Sequence, residues 1–179
     1  QCTIVINAQY TSIPDPAFEQ HLIYLGYDNG APDGQVLTSN INSVTSMIVQ
    51  PNTSSGEINS LQGIEGFTAL ETLFATGLES LHTLDLSGNL NLKWLEIGLN
   101  SFYSINISNN IALEKITGIG GTLHVLNTSN NINLNKIYLI NGFLQELDVS
   151  NNPLLKELSL SNNFIESIDV SNNNLLEYL

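Results

Sequence analysis

The sequence predicts a β-solenoid, mostly β, in which short parallel strands lie on two faces behind a small helical N-terminal cap. The first observation is an L-x-x-L-x-L pattern, with other apolar or small residues replacing some leucines. It begins at 70, 81, 92, 102, 113, 123, 134, 144, 155, 165 and 176. The second observation is the spacing, which after one step of 11 alternates between 11 and 10. The repeat is therefore 21 residues long and has two unlike halves.

Each L-x-L segment alternates apolar and polar residues, which is the period of a β-strand. Ser, Asn and Gly follow each segment and are typical of turns. One coil of 21 residues therefore contains two short strands, and successive coils should stack about 4.8 Å apart. The apolar residues of both strands then fill the space between two sheets.

Composition excludes several classes of function. The chain has 179 residues, of which 4 are Lys, none is Arg and 17 are Asp or Glu, so its net charge is −13. This acidity argues against nucleic-acid partners and against docking on an anionic membrane. No apolar run reaches the roughly 18 residues that membrane insertion requires. The single cysteine, Cys2, excludes a disulfide framework and a cysteine-based zinc cluster.

The first segment, residues 1–8, is interpreted as the remnant of a signal peptide. Its apolar run CTIVINA ends in a small residue, which predicts cleavage after Ala8. The alternative is an ordinary N-terminal strand over residues 3–6. Cleavage would remove Cys2 from the mature protein.

Residues 9–43 are predicted to form the N-terminal cap, with one helix within 13–26. Asp15 is a suitable N-cap, Pro16 suits the first helical position and Gly26 can end the helix. One face of this helix is apolar and should cover the first coil. That face comprises Phe18, Leu22 and Leu25.

The solenoid is predicted over residues 44–179 and should begin with a strand at Val44–Val49. The chain stops at Leu179 within a repeat and without a closing cap. An uncapped coil exposes apolar surface and unpaired strand edges. The sequence therefore predicts a solenoid that is truncated at its C-terminus and continues in the natural protein.

The units LHTLDLSGN, LQELDVSNN and LKELSLSNN resemble leucine-rich repeats, and residues 57–78 resemble the opening repeats of internalin-like proteins. The nested 21-residue form resembles the IRREKO subclass, which is frequent in secreted proteins of Bacteroidota. That subclass often has cysteine at four positions where this chain has other residues. They are Ile97, Gly118, Leu139 and Leu160. The resemblance implies a leucine-rich-repeat solenoid that is secreted or lies at the cell surface.

One asparagine recurs at the same turn of every repeat. These residues are Asn89, Asn110, Asn131, Asn152 and Asn173. An amide buried in a turn can bond the backbone of the neighbouring coil, so a structural ladder is the favoured interpretation. A polar binding row is the alternative.

The four lysines all fall in one half-repeat, together with aromatic residues and balancing glutamates. Its units are LKWLEIGLN, LEKITGIGG, LNKIYLING and LKELSLSNN. In the resembled family this strand lines the concave sheet, which is the usual binding side. The predicted ligand-binding face comprises Lys93, Trp94, Glu96, Lys115, Lys136, Tyr138, Lys156, Glu157 and Tyr178. Aromatic and mixed polar groups on a rigid surface favour recognition of a partner. The alternative is that these side chains only keep the sheet soluble.

The opposite face carries acids without lysine. From residue 81 onward these acids are Asp85, Glu146, Asp148, Glu166 and Asp169. Asp148 and Asp169 should be neighbours in one row that Asn106 and Asn127 also share. A solvated acidic face is favoured, and a weak calcium ion remains the alternative.

No motif for catalysis or for a resident cofactor or metal occurs in the sequence. His82 and His124 are two coils apart, too far to hold one metal ion directly, and residues 29–40 lack the ligands of a calcium loop. We therefore expect an extracellular module that binds a protein or glycan, with no catalysis. The alternative is a passive spacer that presents another domain beyond residue 179.

Overall fold

The computed structural model describes residues 8–51 and 56–179. Residues 1–7 lie outside that part, so the predicted signal-peptide remnant and Cys2 stay predictions. The described chain folds as a β-solenoid with parallel strands and few helices, as the repeat predicts.

The cap helix α1 spans Pro16–Tyr24, and its N-terminus is as predicted. Asp15 accepts hydrogen bonds from the backbone N–H groups of Ala17 and Phe18, at 2.9 and 3.0 Å. Its second carboxylate oxygen accepts two more from Asn59 and Ser60 in the solenoid, at 2.8 and 2.9 Å. The Asp15 carboxylate therefore caps the N-terminus of the helix and also connects the helix to the solenoid.

The apolar face of α1 is smaller than predicted. Phe18 and Leu22 are fully buried against the first coil, whereas Leu25 is 36% exposed. The expectation for Leu25 is wrong because α1 ends at Tyr24, so Leu25 is the C-cap rather than part of the helical stripe. Gly26 follows with φ of 80°, in the left-handed region that suits glycine after a helix.

Three further elements accompany α1 in the N-terminal segment. Strand β1 (Tyr10–Ser12) pairs antiparallel with β2 (Gln35–Leu37), and a second helix α2 spans Thr38–Ile41. The sequence predicts one helix in this segment, and the four-residue α2 is an addition. Buried Glu19 orders the connection, because its carboxylate accepts the backbone N–H groups of Asp33 and Gly34 at 2.6 and 2.8 Å.

The solenoid builds one long sheet from one strand of each coil. All neighbouring strands are parallel, in the order β12-β10-β8-β6-β4-β3. Their bounds are β3 Ser46–Val49, β4 Thr72–Ala75, β6 Trp94–Glu96, β8 Lys115–Ile119, β10 Lys136–Ile140 and β12 Glu157–Ser159. Strand β3 is thus shorter than the predicted Val44–Val49.

The other half of each coil forms shorter strands in two separate pairs, β5 with β7 and β9 with β11. Their bounds are β5 Thr83–Asp85, β7 Ser104–Asn106, β9 Val125–Leu126 and β11 Glu146–Leu147. A 3₁₀ turn at Ile64–Gly66 precedes β4. No strand or helix other than these occurs in the described ranges.

The core lies between the two sides of the coil. The second residue of each of the strands β6, β8, β10 and β12 points inward, and in these four successive coils it is at most 1% exposed. They are Leu95, Ile116, Ile137 and Leu158. Their apolar partners from the shorter strands include Leu84 and Leu126, each 3% exposed. The alternation therefore leaves the flanking residues of each strand on the surface.

Candidate binding surface

The outward side of the six-stranded sheet, here called the lysine-bearing face, consists of two rows of side chains that run across the strands. The 21-residue period places equivalent residues opposite each other in the parallel ladder. The first row contains Thr72, Trp94, Lys115, Lys136 and Glu157. The second row contains Phe74, Glu96, Thr117, Tyr138 and Ser159.

Trp94 is held in place by contacts to Thr117 and Phe74. Its indole N–H donates to the hydroxyl of Thr117 at 2.9 Å, and that hydroxyl donates in turn to the Glu96 carboxylate. The ring of Phe74 meets Trp94 edge to face, with centroids 4.9 Å apart. These contacts fix the ring on the strands, so binding a partner would not require ordering it.

Two lysines extend over the aromatic rings of this face. The Lys115 ammonium lies 5.6 Å from the Trp94 ring centroid, and that of Lys136 lies 5.9 Å from Tyr138. Lys136 also forms an ion pair with Glu157 at 2.5 Å. These contacts join Trp94 to Lys115 and Lys136 to Glu157 across neighbouring strands, and the strand register places Lys115 opposite Lys136.

The structure brings together most of the predicted face. Trp94 and Tyr138 are two coils apart, but Lys115, Thr117 and Lys136 fill the space between them. Both rings are half-buried rather than exposed, because the lysines and strand neighbours cover their flanks. Tyr178 is 67% exposed and continues the first row through a bridge to Glu157.

The remaining predicted residues lie at the border of this face. Lys93 is exposed and pairs with Glu71 at 3.0 Å, one coil earlier. Lys156 is exposed beside Glu157, and its carbonyl accepts the backbone N–H groups of Glu177 and Tyr178 at 2.8 and 3.1 Å. These lysines precede their strands and belong to the same side of the coil.

The recurrent asparagines line the inside of one turn. Asn89, Asn110, Asn131 and Asn152 are fully buried and Asn173 is 4% exposed. Each side-chain amide donates to two backbone carbonyls of the preceding coil, at 2.7–3.2 Å. Such a buried row cannot contact a ligand, so these bonds support its interpretation as a structural ladder.

A second asparagine row, on the outside of this turn, is absent from the sequence-based prediction. The amides of Asn109, Asn130 and Asn172 donate to the carbonyls of Ser87, Ser108 and Ser150 in the preceding coil, at 2.9–3.4 Å. The signal is the doubled Asn-Asn that follows Ser in several repeats. Because the outer amides are exposed, the solvent can replace these bonds.

The shorter strands carry the acids on their outward side, here called the acidic face. Asp85 pairs with Asn106 in the strand register, and the Asn106 amide donates to the Asp85 carboxylate at 3.0 Å. Each acid or amide of this row also accepts the backbone N–H of the serine two residues later. These acceptors are Asp85, Asn106, Asn127, Asp148 and Asp169, at 2.8–3.2 Å.

These hydrogen bonds from serine stabilise the ionised form of the aspartate side chains. Hydrogen bonds from the Ser150 hydroxyl and backbone hold the pKa of Asp148 below its ordinary value, although the neighbouring charge of Asp169 opposes them. The backbone and hydroxyl of Ser171 likewise lower the pKa of Asp169, and Ser87 lowers that of Asp85. No cluster of three or more acidic, histidine or cysteine side chains suited to a metal ion occurs among the described residues.

Aromatic side chains mark the border of the acidic face. His82 stacks on Tyr103, with ring centroids 4.7 Å apart. Further along, the ring of His124 lies 6.2 Å from Phe143, which stacks on Phe164 at 5.5 Å. The repeat pattern does not reveal the two phenylalanines, since each stands one residue before its repeat begins.

The fold has relatives among solved structures. The chain is similar to the functional domain of InlJ from Listeria monocytogenes, which includes a cysteine ladder, with a TM-score of 0.56 and 22% identity. That match covers 98% of this chain and 48% of the InlJ domain, so the chain spans about half of its length. It supports the leucine-rich-repeat fold.

Two internalins of the same organism also match at lower similarity. Internalin C2 has a TM-score of 0.42 and 16% identity, covering 97% of both chains. Internalin InlF has a TM-score of 0.36 and 16% identity, covering 93% of this chain and 68% of its own. No protein-family model and no curated protein matches the sequence. In the described residues, every helix is too short or too polar to cross a membrane.

Proposed function

We propose that this chain is an extracellular, internalin-like recognition module that binds a protein or a glycan through the lysine-bearing face. The observation that carries the proposal is the connected surface of Trp94, Lys115, Lys136 and Tyr138 across neighbouring strands. Tryptophan and tyrosine rings are enriched among the residues that dominate binding energy at protein interfaces.

The rigidity of this face favours binding further. The strands beneath it are bonded to each other from β3 to β12, and the Trp94 ring is fixed by the Thr117 hydroxyl. A partner therefore meets groups that are already ordered, and little conformational entropy is lost on binding. The near balance of lysines and glutamates also leaves room for partners of either charge.

The absence of catalysis and the extracellular location are parts of the same proposal. The sequence offers no catalytic motif, and its N-terminal segment and repeats resemble those of secreted proteins. The match to the InlJ domain supports a repeat fold on which binding functions occur, and not a specific ligand.

The test uses the protein to select ligands from a random-peptide display library and from a glycan array. A double variant, Trp94→Thr with Tyr138→Thr, serves as the comparison, because Thr72 and Thr117 already occupy the same two rows. We expect ligands of the wild type to bind this variant at least about tenfold more weakly. Circular dichroism would verify that the variant remains folded.

Two outcomes would count against the proposal. Ligands that bind the variant as tightly as the wild type would place recognition elsewhere. A selection that yields no peptide and no glycan would favour the passive spacer, in which the repeats only hold another domain away.

A further inference from the structure

The border of the acidic face exposes two stacked phenylalanine rings. Phe143 is 49% and Phe164 60% exposed, and their centroids are 5.5 Å apart. The ring of His124 extends this row by one coil, 6.2 Å from Phe143. The side chains therefore form a contiguous aromatic strip over three coils rather than isolated exposed residues.

An open groove of about 970 Å³ adjoins this strip on the acidic face. Val125 and Phe164 are among its apolar lining residues, and Glu146, Asp148 and Glu166 supply three carboxylates. All three acids are exposed. Exposed aromatic rings thus lie beside three exposed carboxylates.

Within residues 8–51 and 56–179, no lysine or arginine side chain pairs with these acids. The sequence has no arginine, and its four lysines all lie on the other side of the coil. Among the described residues, both lysine ion pairs are made on the lysine-bearing face. The groove is therefore complementary to a cation that another polypeptide brings.

The combination of ring and carboxylate favours one cation over others. A guanidinium group is planar, stacks on aromatic faces and donates two parallel hydrogen bonds to a carboxylate. An ammonium group is a compact, strongly hydrated charge that gains less from an exposed ring. Val125 would contact the aliphatic part of a long side chain.

We propose that the groove beside Phe143 and Phe164 binds an arginine-rich segment of a partner protein. This is a second surface, on the opposite side of the coil from the lysine-bearing face, so its test does not depend on the function proposed above. The segment lies across the coils, with guanidinium groups between the phenyl rings and the Glu146 and Glu166 carboxylates.

The experiment measures fluorescence anisotropy of labelled nona-arginine and nona-lysine peptides added to the full chain. A salt concentration of ~150 mM limits long-range attraction, since the Debye length is then about 8 Å. We expect nona-arginine to bind about fivefold or more tightly than nona-lysine, because stacking adds to charge.

Two double variants separate the contributions. The first is Phe143→Thr with Phe164→Thr. Threonine is chosen because Thr122 occupies the equivalent position in the preceding repeat. This variant should reduce nona-arginine binding to about the level of nona-lysine. Glu146→Gln with Glu166→Gln should weaken nona-arginine binding about tenfold. The control, Glu114→Gln with Glu177→Gln, makes the same charge change at exposed positions of the lysine-bearing side and should alter binding less than about twofold.

Equal binding of the two peptides, with no effect of the phenylalanine variant, would overturn the proposal and leave only diffuse attraction by net charge. An equal loss in the Glu114 and Glu177 control would overturn it as well. The glutamine variants change exposed side chains only, so they remain informative if the threonine variant fails to fold.

Discussion

The two sides of each coil hold the solenoid together in different ways. On the lysine-bearing side, backbone hydrogen bonds connect six strands without interruption. On the acidic side the strands have two or three residues and form two separate pairs. There the buried asparagine row supplies bonds between coils at every repeat. Side-chain amides thus connect the coils on one side as strand pairing connects them on the other.

In the turns that follow the strands of the long sheet, strand pairing and asparagine side-chain bonds also replace each other. The equivalent inner row of that turn contains Asn100, Gly121, Gly142 and Asn163. Asn100 donates to the carbonyl of Ala75 at 2.6 Å, whereas glycine has no amide to offer. In the two glycine coils, strands β8 and β10 extend to five residues and pair as far as Ile119 with Ile140. Strand pairing is longest where the asparagine is missing.

The largest expected effect comes from breaking the buried asparagine row. Asn131 donates to the carbonyls of Ile107 and Asn110, at 3.0 and 2.9 Å. We expect Asn131→Ala to lower the free energy of unfolding by about 2–3 kcal/mol, because the buried carbonyls lose these bonds. Urea denaturation measures the change.

The matched control is Asn130→Ala, one residue earlier in the exposed outer row. Its amide donates to the Ser108 carbonyl at 2.9 Å, where water can replace it. We expect a loss of at most about 0.5 kcal/mol. Equal losses in the two variants would contradict the claim that the inner row replaces strand pairing.

A smaller effect, of opposite sign, is expected at the end of a strand of the lysine-bearing side. Leu99 has φ of 56°, and the equivalent positions in later coils are Gly120, Asn141 and Asn162. Glycine and asparagine tolerate this left-handed conformation better than leucine. Leu99→Asn should therefore raise the free energy of unfolding by about 1 kcal/mol.

The reciprocal variant, Asn141→Leu, should lower the free energy of unfolding by a similar amount, because Asn141 also has a φ of 56°. Urea denaturation of both variants measures the pair. If Leu99→Asn destabilised the protein, the contact of the Leu99 side chain with the neighbouring coil would outweigh the backbone strain.

The smallest expected effect is a difference in acid sensitivity between the two sides. In the folded state, serine hydrogen bonds lower the pKa values of Asp85, Asp148 and Asp169 from 3.8. Their contribution to stability is present above pH 3.8 and is lost as the pH falls through the lowered values. Acid should therefore weaken the acidic face as the pH falls below 3.8.

The triple variant Asp85→Asn, Asp148→Asn, Asp169→Asn removes this titration and keeps the serine bond. Asn106 and Asn127 accept the same bond in the natural chain. We expect the variant to lose less stability than the wild type below about pH 4, as thermal unfolding at several pH values would show. Identical acid profiles would mean that other carboxyl groups determine the sensitivity.

The repeat period alone predicts most of the solenoid. A spacing of 21 residues places Trp94, Lys115 and Lys136 in one row, and the structure has them opposite each other. The period cannot predict contacts that depend on rotamers, such as the bond from the Trp94 indole to Thr117. It also misses Phe143 and Phe164, because they belong to no repeated consensus position.

The cap is less predictable because it does not repeat. Asp15 and Pro16 carry local signals that give the start of α1 correctly, whereas the helix ends at Tyr24, before Leu25 and Gly26. The pairing of β1 with β2 joins residues about 25 positions apart without any internal copy to reveal it. The burial of Glu19 likewise depends on a long-range contact, to the backbone of Asp33 and Gly34.

The most direct test of the central claim compares the two sides for one ligand that carries no arginine-rich segment and was selected with the wild type. The dissociation constant is measured for Trp94→Thr with Tyr138→Thr and for Phe143→Thr with Phe164→Thr, each of which removes two aromatic rings. We predict about a tenfold or larger increase for the first variant and a change below about twofold for the second. The reverse pattern, or equal losses, would contradict recognition through the lysine-bearing face.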